Sequence, residues 1–381
     1  MSTIQEFRLP GVIHFGWGAV ERVGEEAARL GRRALLVTGR SAMNRTGWTS
    51  RVQSILSAAG VEVVLFDQVE SDPSVTTVDR AAGAARGEGC NLVVGLGGGS
   101  PMDAARATAA MAAMDGSIVE YVRGRPIDRP GLPLINIAST AGTASEVTSV
   151  AVILDEERKL KVGMKSPYWF ARAAITDPEL TLTMSPDLTA ATGIDSLTHA
   201  IESYLSTGAT PPSEALALRA VEIIGSSLRE AFANGADRPA RERMALGSMT
   251  AGMAFANSGL GLVHGLVHPL GARFGLAHGL ACGRLLPHVM RYNRPAVEDK
   301  LAAVDRALTG KERGTPDGAI AAVESLLSDV KVPSGIGDLD IPQDEMADLA
   351  KDGLLAGAVR TNPRSVGEED ARRVLEEARR G

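Results

Sequence analysis

The chain has 381 residues, 44% of them hydrophobic and 23% charged, with a formal net charge of -6. That length suits two domains, and the composition is that of an ordinary globular enzyme rather than a disordered or fibrous chain. The acidic balance argues against nucleic acid or an anionic membrane as the main partner, while two cysteines without metal-binding spacing, Cys90 and Cys282, argue against a disulfide framework and for a reducing compartment.

The first segment, MSTIQEFRLPGVIHFGWG, has no basic run leading into an apolar one, so no signal peptide is expected, and a cytoplasmic location is. RRALLVTG, VEVVLF and CNLVVGLGGG follow as apolar runs of strand length, separated by the amphipathic segments AVERVGEEAARL and TGWTSRVQSILSAAG. Strands alternating with helices predict βαβ units and a parallel, doubly wound sheet, an α/β domain over residues 1–180. LPLINIAST and VAVILD add later strands.

Within this half, GLGGGSPMDAARATAAM leaves a strand and opens a helix. Glycines let the backbone approach a ligand, and a helix start offers free N–H groups with partial positive charge, so this turn reads as a phosphate site. It does not match G-x-G-x-x-G and lies on a later strand than the usual dinucleotide fingerprint. The hydroxyl-rich loop ASTAGTASEVTS follows the next strand; it offers donors to phosphate and ribose oxygens, or else is a turn capped by Ser145 or Thr143.

After Asp177-Pro178 the pattern becomes nearly all helical, through SPDLTAATGIDSLTHAIESYLS, PSEALALRAVEIIGSSLREAF and ARERMALGSMTAGMAFAN to GEEDARRVLEEARR, which defines a second domain over 181–381. Met244 to Ala272 holds no charged residue and is long enough to span a bilayer, but Asn257, two histidines, Pro269 and several glycines mark it as a buried, ligand-bearing helix pair. No membrane partner is expected.

Five of the six histidines lie in this half. Asp195 and His199 stand four apart, as do His264 and His268, and His278 follows closely. Residues four apart share a helix face, so a carboxylate and several imidazoles can converge on one point. A single histidine on an apolar helix is most often a hydrogen-bonded core residue. A joint set on two otherwise apolar helices needs partners, and a divalent ion such as Fe(II) or Zn(II) supplies one. His288, in LLPHVMRYN, is left to capping or packing.

GGGSPMDAAR, STAGTASEVT, the turn Asp177-Pro178-Glu179-Leu180, ATGIDSLTHAIESY and GLVHGLVHPLGARFGLAHG occur in order, within a stretch from Gly16 to Asn293. Together they resemble the iron-dependent (group III) alcohol dehydrogenase family, most closely its lactaldehyde reductase (propanediol oxidoreductase) branch across GLGLVHGLVHPLG and LLPHVMRYN. Asn362-Pro363-Arg364 also fits. The resemblance implies a Rossmann-like N-terminal domain with a parallel sheet and an all-helical C-terminal domain, the dehydroquinate synthase-like arrangement, with the active site in the cleft between them. It assigns the metal to Asp195, His199, His264 and His278, and places His268 beside the nicotinamide and off the metal; an imidazole there is expected to pass the proton between cofactor ribose and solvent as the catalytic residue. It assigns the cofactor to Gly97, Gly98, Gly99, Ser100, Asp103, Ser139, Thr140, Thr143, Thr148 and Lys161, and the substrate pocket to Phe255. Fe(II) is the implied ion, with Zn(II) the other that the ligands would take, and a homodimer or larger homo-oligomer is implied.

Three departures stand out. Many NAD-preferring members carry an aspartate where this chain has Gly39, while Arg40 and Arg45 lie near enough in sequence to pair with a 2′-phosphate, so NADP(H) is expected to be accepted and preferred, with NAD(H) the alternative. Arg106 stands where lysine is usual, and Asp72 where asparagine is common. The expected reaction is hydride transfer between a small primary alcohol or aldehyde, of lactaldehyde or 1,2-diol type, and the nicotinamide, with the metal as Lewis acid. Maleylacetate reductase and a glycerol-type polyol dehydrogenase are the alternatives on the same fold, and a non-catalytic sensor is the alternative of another class.

Overall fold

The computed structural model describes residues 5–380; the first four residues of the N-terminal segment read above for a signal peptide lie outside the described residues. Two compact units result, residues 8–183 and, with the short stretch 5–7, residues 184–380.

The first unit runs β1 (Val12–Phe15), α1 (Arg22–Leu30), β2 (Arg33–Gly39), α2 (Ala42–Arg45), α3 (Trp48–Ala58), β3 (Glu62–Val69), α4 (Val75–Gly87), β4 (Leu92–Gly97), α5 (Gly99–Met111), α6 (Ile118–Val122), β5 (Leu134–Ala138), β6 (Val150–Asp155), β7 (Leu160–Lys165) and β8 (Ala173–Thr176). Six strands form one all-parallel sheet in the order β1-β8-β5-β4-β2-β3. Alternation explains its burial on both faces: Leu36 and Val94 pack with Val52 and Leu56 of α3, whereas Leu35, Val37 and Val93 pack with Ala81 of α4 and Ala104 and Ala105 of α5. The helices after β2 and β4 therefore cover opposite faces. Strand order reverses between these two strands, which is where open α/β sheets bind ligands beyond their carboxyl ends.

VAVILD departs from the sequence expectation of one sheet. It forms β6 of a separate antiparallel pair with β7, LKVGMK, whose apolar residues alternate with Lys161, Gly163 and Lys165. The Asp177-Pro178 turn is structural: Asp177 accepts from Glu179 N at 3.0 Å and from Val20 N at 3.1 Å, tying a short 3-10 turn to the chain start of this unit.

The second unit is helical throughout: α7 (Pro186–Leu205), α8 (Pro211–Ala233), α9 (Arg238–Ser258), α10 (Leu262–Phe274), α11 (His278–Asn293), α12 (Glu298–Thr309), α13 (Pro316–Asp329), α14 (Glu345–Leu354) and α15 (Glu368–Arg380). The uncharged stretch 244–272 becomes most of α9 and α10, largely buried among the other helices of this unit. No helix of the described residues is long and apolar enough to cross a membrane.

Candidate metal centre and cofactor loop

Helix α7 begins sharply because Ser185 accepts from Leu188 N at 3.2 Å and Pro186 takes the first helical position. Its spacing then aligns Asp195, His199 and Glu202 on one buried face. Glu202 reaches the start of α10, where its carboxylate accepts from Gly261 N at 3.1 Å and Val263 N at 2.7 Å; the Asn362 side chain accepts from Leu262 N at 3.1 Å. Three successive donors at a helix start are thereby satisfied, and a negative charge sits at the positive end of the helix. The same Glu202 lies 2.6 Å from His264 Nδ1. With that nitrogen donating to the carboxylate, Nε2 is left bare to act as a ligand.

Helix α10 ends at Gly275 in the left-handed conformation, and a three-residue turn starts α11 at His278. Two glycines on one face of α11 set how closely it meets α7. A Cβ at Gly279 would lie 2.0 Å from Ala191 O, and one at Gly283 would lie 2.7 Å from Ile194 Cγ2. This approach carries His278 and, one turn on, Cys282 to Asp195.

Three imidazoles converge on a single oxygen. His278 Nε2 lies 3.6 Å, His264 Nε2 3.8 Å and His199 Nε2 3.9 Å from Asp195 Oδ1. Ligand atoms sharing a tetrahedral ion at 2.0–2.2 Å stand about 3.4 Å apart, so these donors are close to the separation that one divalent ion requires. Burial would raise the Asp195 carboxyl, but the charge of His199 and the contacts with His264 and His278 outweigh it and hold Asp195 well below the usual carboxylate range. Burial opposes charge on His264, yet Cys282, Asp195 and Glu202 around it raise its pKa well above the ordinary value. The side chains present fit a hard-to-borderline divalent cation.

The structure brings together four of the five histidines of this half. His199 stacks between Phe255 at 4.4 Å and His264 at 4.5 Å, and the ring of His278 stands 5.6 Å from those of both His264 and His268. Phe255 is buried and forms a wall behind His199. His288 is buried in α11, where burial and then Arg291 lower its pKa, in keeping with packing.

Three participants escaped the sequence reading. Glu202 was detectable, standing seven after Asp195 and three after His199 on one helix face. Asn362 was not, because only tertiary structure brings it 100 residues back to Leu262. Cys282 was set aside for lack of metal-binding spacing, yet its Sγ lies 3.5 Å from Asp195 Oδ1 and 3.9 Å from His264 Nε2. Its place four after His278 was a signal within the sequence, since that spacing sets both on one face of α11; its approach to Asp195 and His264 was not.

In the α/β unit, the glycine-rich turn lies at the carboxyl end of β4 and Gly39 at that of β2, beside the strand-order reversal. Gly97 has φ +147°, and Gly99 faces the hydroxyl-rich loop so closely that a Cβ would stand 2.9 Å from Thr143 Cγ2. Thr140 lines the same cradle, 3.4 Å from where a Gly98 Cβ would be, and Ser139 N donates to Gly97 O at 2.8 Å. Asp103 does not face open space. Its Oδ1 accepts from Ser145 Oγ at 2.6 Å and Arg106 at 3.0 Å, and its Oδ2 from Val152 N at 2.9 Å. Arg106 also donates to the backbone oxygens of Ser145, Thr148 and Trp169. The buried pair therefore braces the loop that holds Thr143 and Thr148. Burial raises the Asp103 carboxyl, against the pull of Arg106 and Ser145. Asp72 gains a partner that the sequence did not suggest: its carboxylate lies 2.8 Å from Lys161 Nζ, and its N–H donates to Ser100 Oγ at 3.2 Å.

A donor set for a divalent ion on the helical unit and a glycine cradle at a sheet switch point are the two parts that a metal-dependent, nicotinamide-linked oxidoreductase needs. Comparison with known proteins agrees. Residues 10–178 match the model for iron-containing alcohol dehydrogenase, and residues 189–379 match the C-terminal model of the Fe-containing alcohol dehydrogenase family. The chain belongs to the iron-containing alcohol dehydrogenase family, a family of metal-dependent alcohol/aldehyde oxidoreductases using a nicotinamide cofactor. It is 38% identical to long-chain-alcohol dehydrogenase 1 of Geobacillus thermodenitrificans, over 91% of this chain and 89% of that one. It is 37% identical to lactaldehyde reductase of Escherichia coli, over 93% and 94% respectively. The crystal structure of a 1,3-propanediol oxidoreductase superposes with a TM-score of 0.95 at 36% identity, covering 99% of this chain and all of that one. Near-equal identity to relatives with different substrates leaves the choice of substrate to the site.

Proposed function

We propose that this chain is an NADP(H)-accepting reductase of small aldehydes, of lactaldehyde or 1,2-diol type, working in reverse as a primary alcohol dehydrogenase. The observation that carries the reading is the convergence of three imidazole Nε2 atoms on Asp195 Oδ1 within 3.9 Å. Asp195, His199, His264 and His278 would hold Fe(II), or Zn(II) in its place. When bound, the ion polarises the substrate oxygen as a Lewis acid and the nicotinamide gives or takes the hydride.

The protein's own groups do the rest. Glu202 orients His264. Gly97 to Ser100 present backbone N–H groups and a hydroxyl for the diphosphate, with Ser139, Thr140, Thr143, Thr148 and Lys161 around the cofactor and the Asp103–Arg106 pair holding their loop in place. Phe255 keeps water from the back of His199 and shapes the substrate side. His268, on α10 one turn beyond His264, carries the proton between the reacting site and solvent.

The cofactor preference rests on Gly39, which offers no carboxylate to ribose hydroxyls or against a 2′-phosphate. Exposed Arg40 follows it directly and exposed Arg45 lies on α2, both suited to a 2′-phosphate. A cytoplasmic setting, supported by two buried unpaired cysteines, and a homodimer or larger homo-oligomer complete the proposal.

Initial rates with NADPH and NADH on lactaldehyde and glycolaldehyde, after anaerobic loading with Fe(II), test it. Fast turnover with NADPH ahead is expected. Turnover with NADH ahead would overturn the cofactor preference alone, and no oxidation of either cofactor would overturn the substrate class.

A further inference from the structure

We infer that Cys282 supplies a sulfur donor to the metal centre, making it a five-donor site of one carboxylate, three imidazoles and one thiolate. The inference rests on the metal-centre reading above and goes beyond the four residues it names.

Geometry carries it. Asp195, His264, His278 and Cys282 each place one donor atom within 4.8 Å of all the others. This grouping includes the cysteine. Cys282 follows His278 by one helical turn on the face of α11 that meets α7, and its side chain is fully buried. For sulfur at about 2.3 Å and oxygen at about 2.1 Å from one shared ion, the two ligand atoms stand about 3.1 Å apart at 90° and about 3.8 Å apart at 120°, the angles between neighbours in a five-donor site. Sγ lies 3.5 Å from Asp195 Oδ1. The Cβ-free faces of Gly279 and Gly283 are what allow the sulfur so near, since any side chain there would meet α7.

Chemistry agrees with position. Thiolate ligands occur in catalytic zinc sites of alcohol dehydrogenases of another fold, so a sulfur donor is compatible with alcohol oxidation. Loading a divalent ion would break the S–H bond, form the sulfur–metal bond and release one proton to solvent, with no change of oxidation state. The softer donor set would favour Co(II), Zn(II) and Fe(II) over Mg(II) and Mn(II).

The test uses Co(II) as the probe ion in the whole protein. Bound Co(II) should show weak visible ligand-field bands together with an intense near-ultraviolet sulfur-to-cobalt charge-transfer band. The latter should be absent from C282A and C282S. Affinity for Co(II) in chelator competition should fall in both variants by at least the roughly tenfold that loss of an outer-shell partner costs. Infrared spectra of the unsubstituted protein provide a second readout that needs no variant. Two S–H stretching bands, from Cys90 and Cys282, should become one on metal loading. Ligand-field bands without charge transfer, with both S–H bands retained, would overturn the sulfur donor and leave the carboxylate–histidine centre standing. No bound Co(II) at all would overturn both.

Discussion

Replacing Glu202 by glutamine separates two jobs that one buried carboxylate performs. Its oxygens accept from Gly261 N, Val263 N and His264 Nδ1 at 3.1, 2.7 and 2.6 Å. Glutamine keeps one acceptor oxygen and turns the other into a two-proton donor. If that oxygen stays with Val263, the amide nitrogen meets the Gly261 N–H and His264 Nδ1. Imidazole can then accept at Nδ1 only by moving its proton to Nε2, the nitrogen aimed at the metal. Loss of such an outer-shell partner weakens metal binding about 10- to 100-fold, or roughly 1.4–2.7 kcal/mol. One backbone N–H is also left unsatisfied in a buried place, which costs about 1–3 kcal/mol of fold stability. At about 2–4 °C per kcal/mol for a unit of this size, the metal-free protein should melt several degrees lower. Chelator competition with Zn(II) reads the first effect, and calorimetry of the metal-free protein reads the second. A lowered melting temperature with metal affinity within about twofold of the parent would refute the orienting role and leave Glu202 as a helix cap alone.

Further outcomes follow from the same geometry. G279A puts a methyl 2.0 Å from Ala191 O. It should cost about 1–3 kcal/mol by overpacking and shift His278 enough to lower metal affinity, which calorimetry and chelator competition would show. Glu146 is buried with its pKa pushed up to about 7, by burial first, against its hydrogen bond with Thr176. Because the folded-state pKa is raised, stability is full below the unfolded value near 4.5 and is lost as pH rises through 7, by about 3 kcal/mol in all. E146Q should flatten the fall in melting temperature between pH 5 and pH 8, and an unchanged slope would exclude this origin. G39D should move the NADPH-to-NADH ratio of kcat/KM toward NADH by at least tenfold, on the order of the 1.4 kcal/mol that one lost ionic contact supplies; an unmoved ratio would mean that this position does not read the 2′-phosphate. H268A should lower kcat by about 10²-fold or more with metal content intact, and full activity across the pH range would exclude the proton-carrying role.

The α/β half was legible because burial on two faces forces continuous apolar runs, as in RALLVTG and LVVGLG, and because a glycine-rich strand-to-helix turn has few other uses. VAVILD shows the limit: its apolar run announced a strand but carried nothing about which partner it would pair with. The candidate ligand cluster was legible because helical periodicity is local: Asp195 with His199, and His264 with its neighbour His268, share a face whatever surrounds them.

What the sequence determined by itself was therefore the local pattern: which segments are helix or strand, the residue types able to hold a divalent ion, and the turn able to cradle a phosphate. Tertiary structure decided everything that depends on distance between remote segments. It gave Glu202 and Asn362 to the start of α10, Lys161 to Asp72, Ser145 to Asp103, and Cys282 to Asp195. The reason is physical. Periodicity fixes the face on which a side chain lies, but the approach of α11 to α7 is fixed by close packing at Gly279 and Gly283, and only that approach turns a buried cysteine into a neighbour of Asp195.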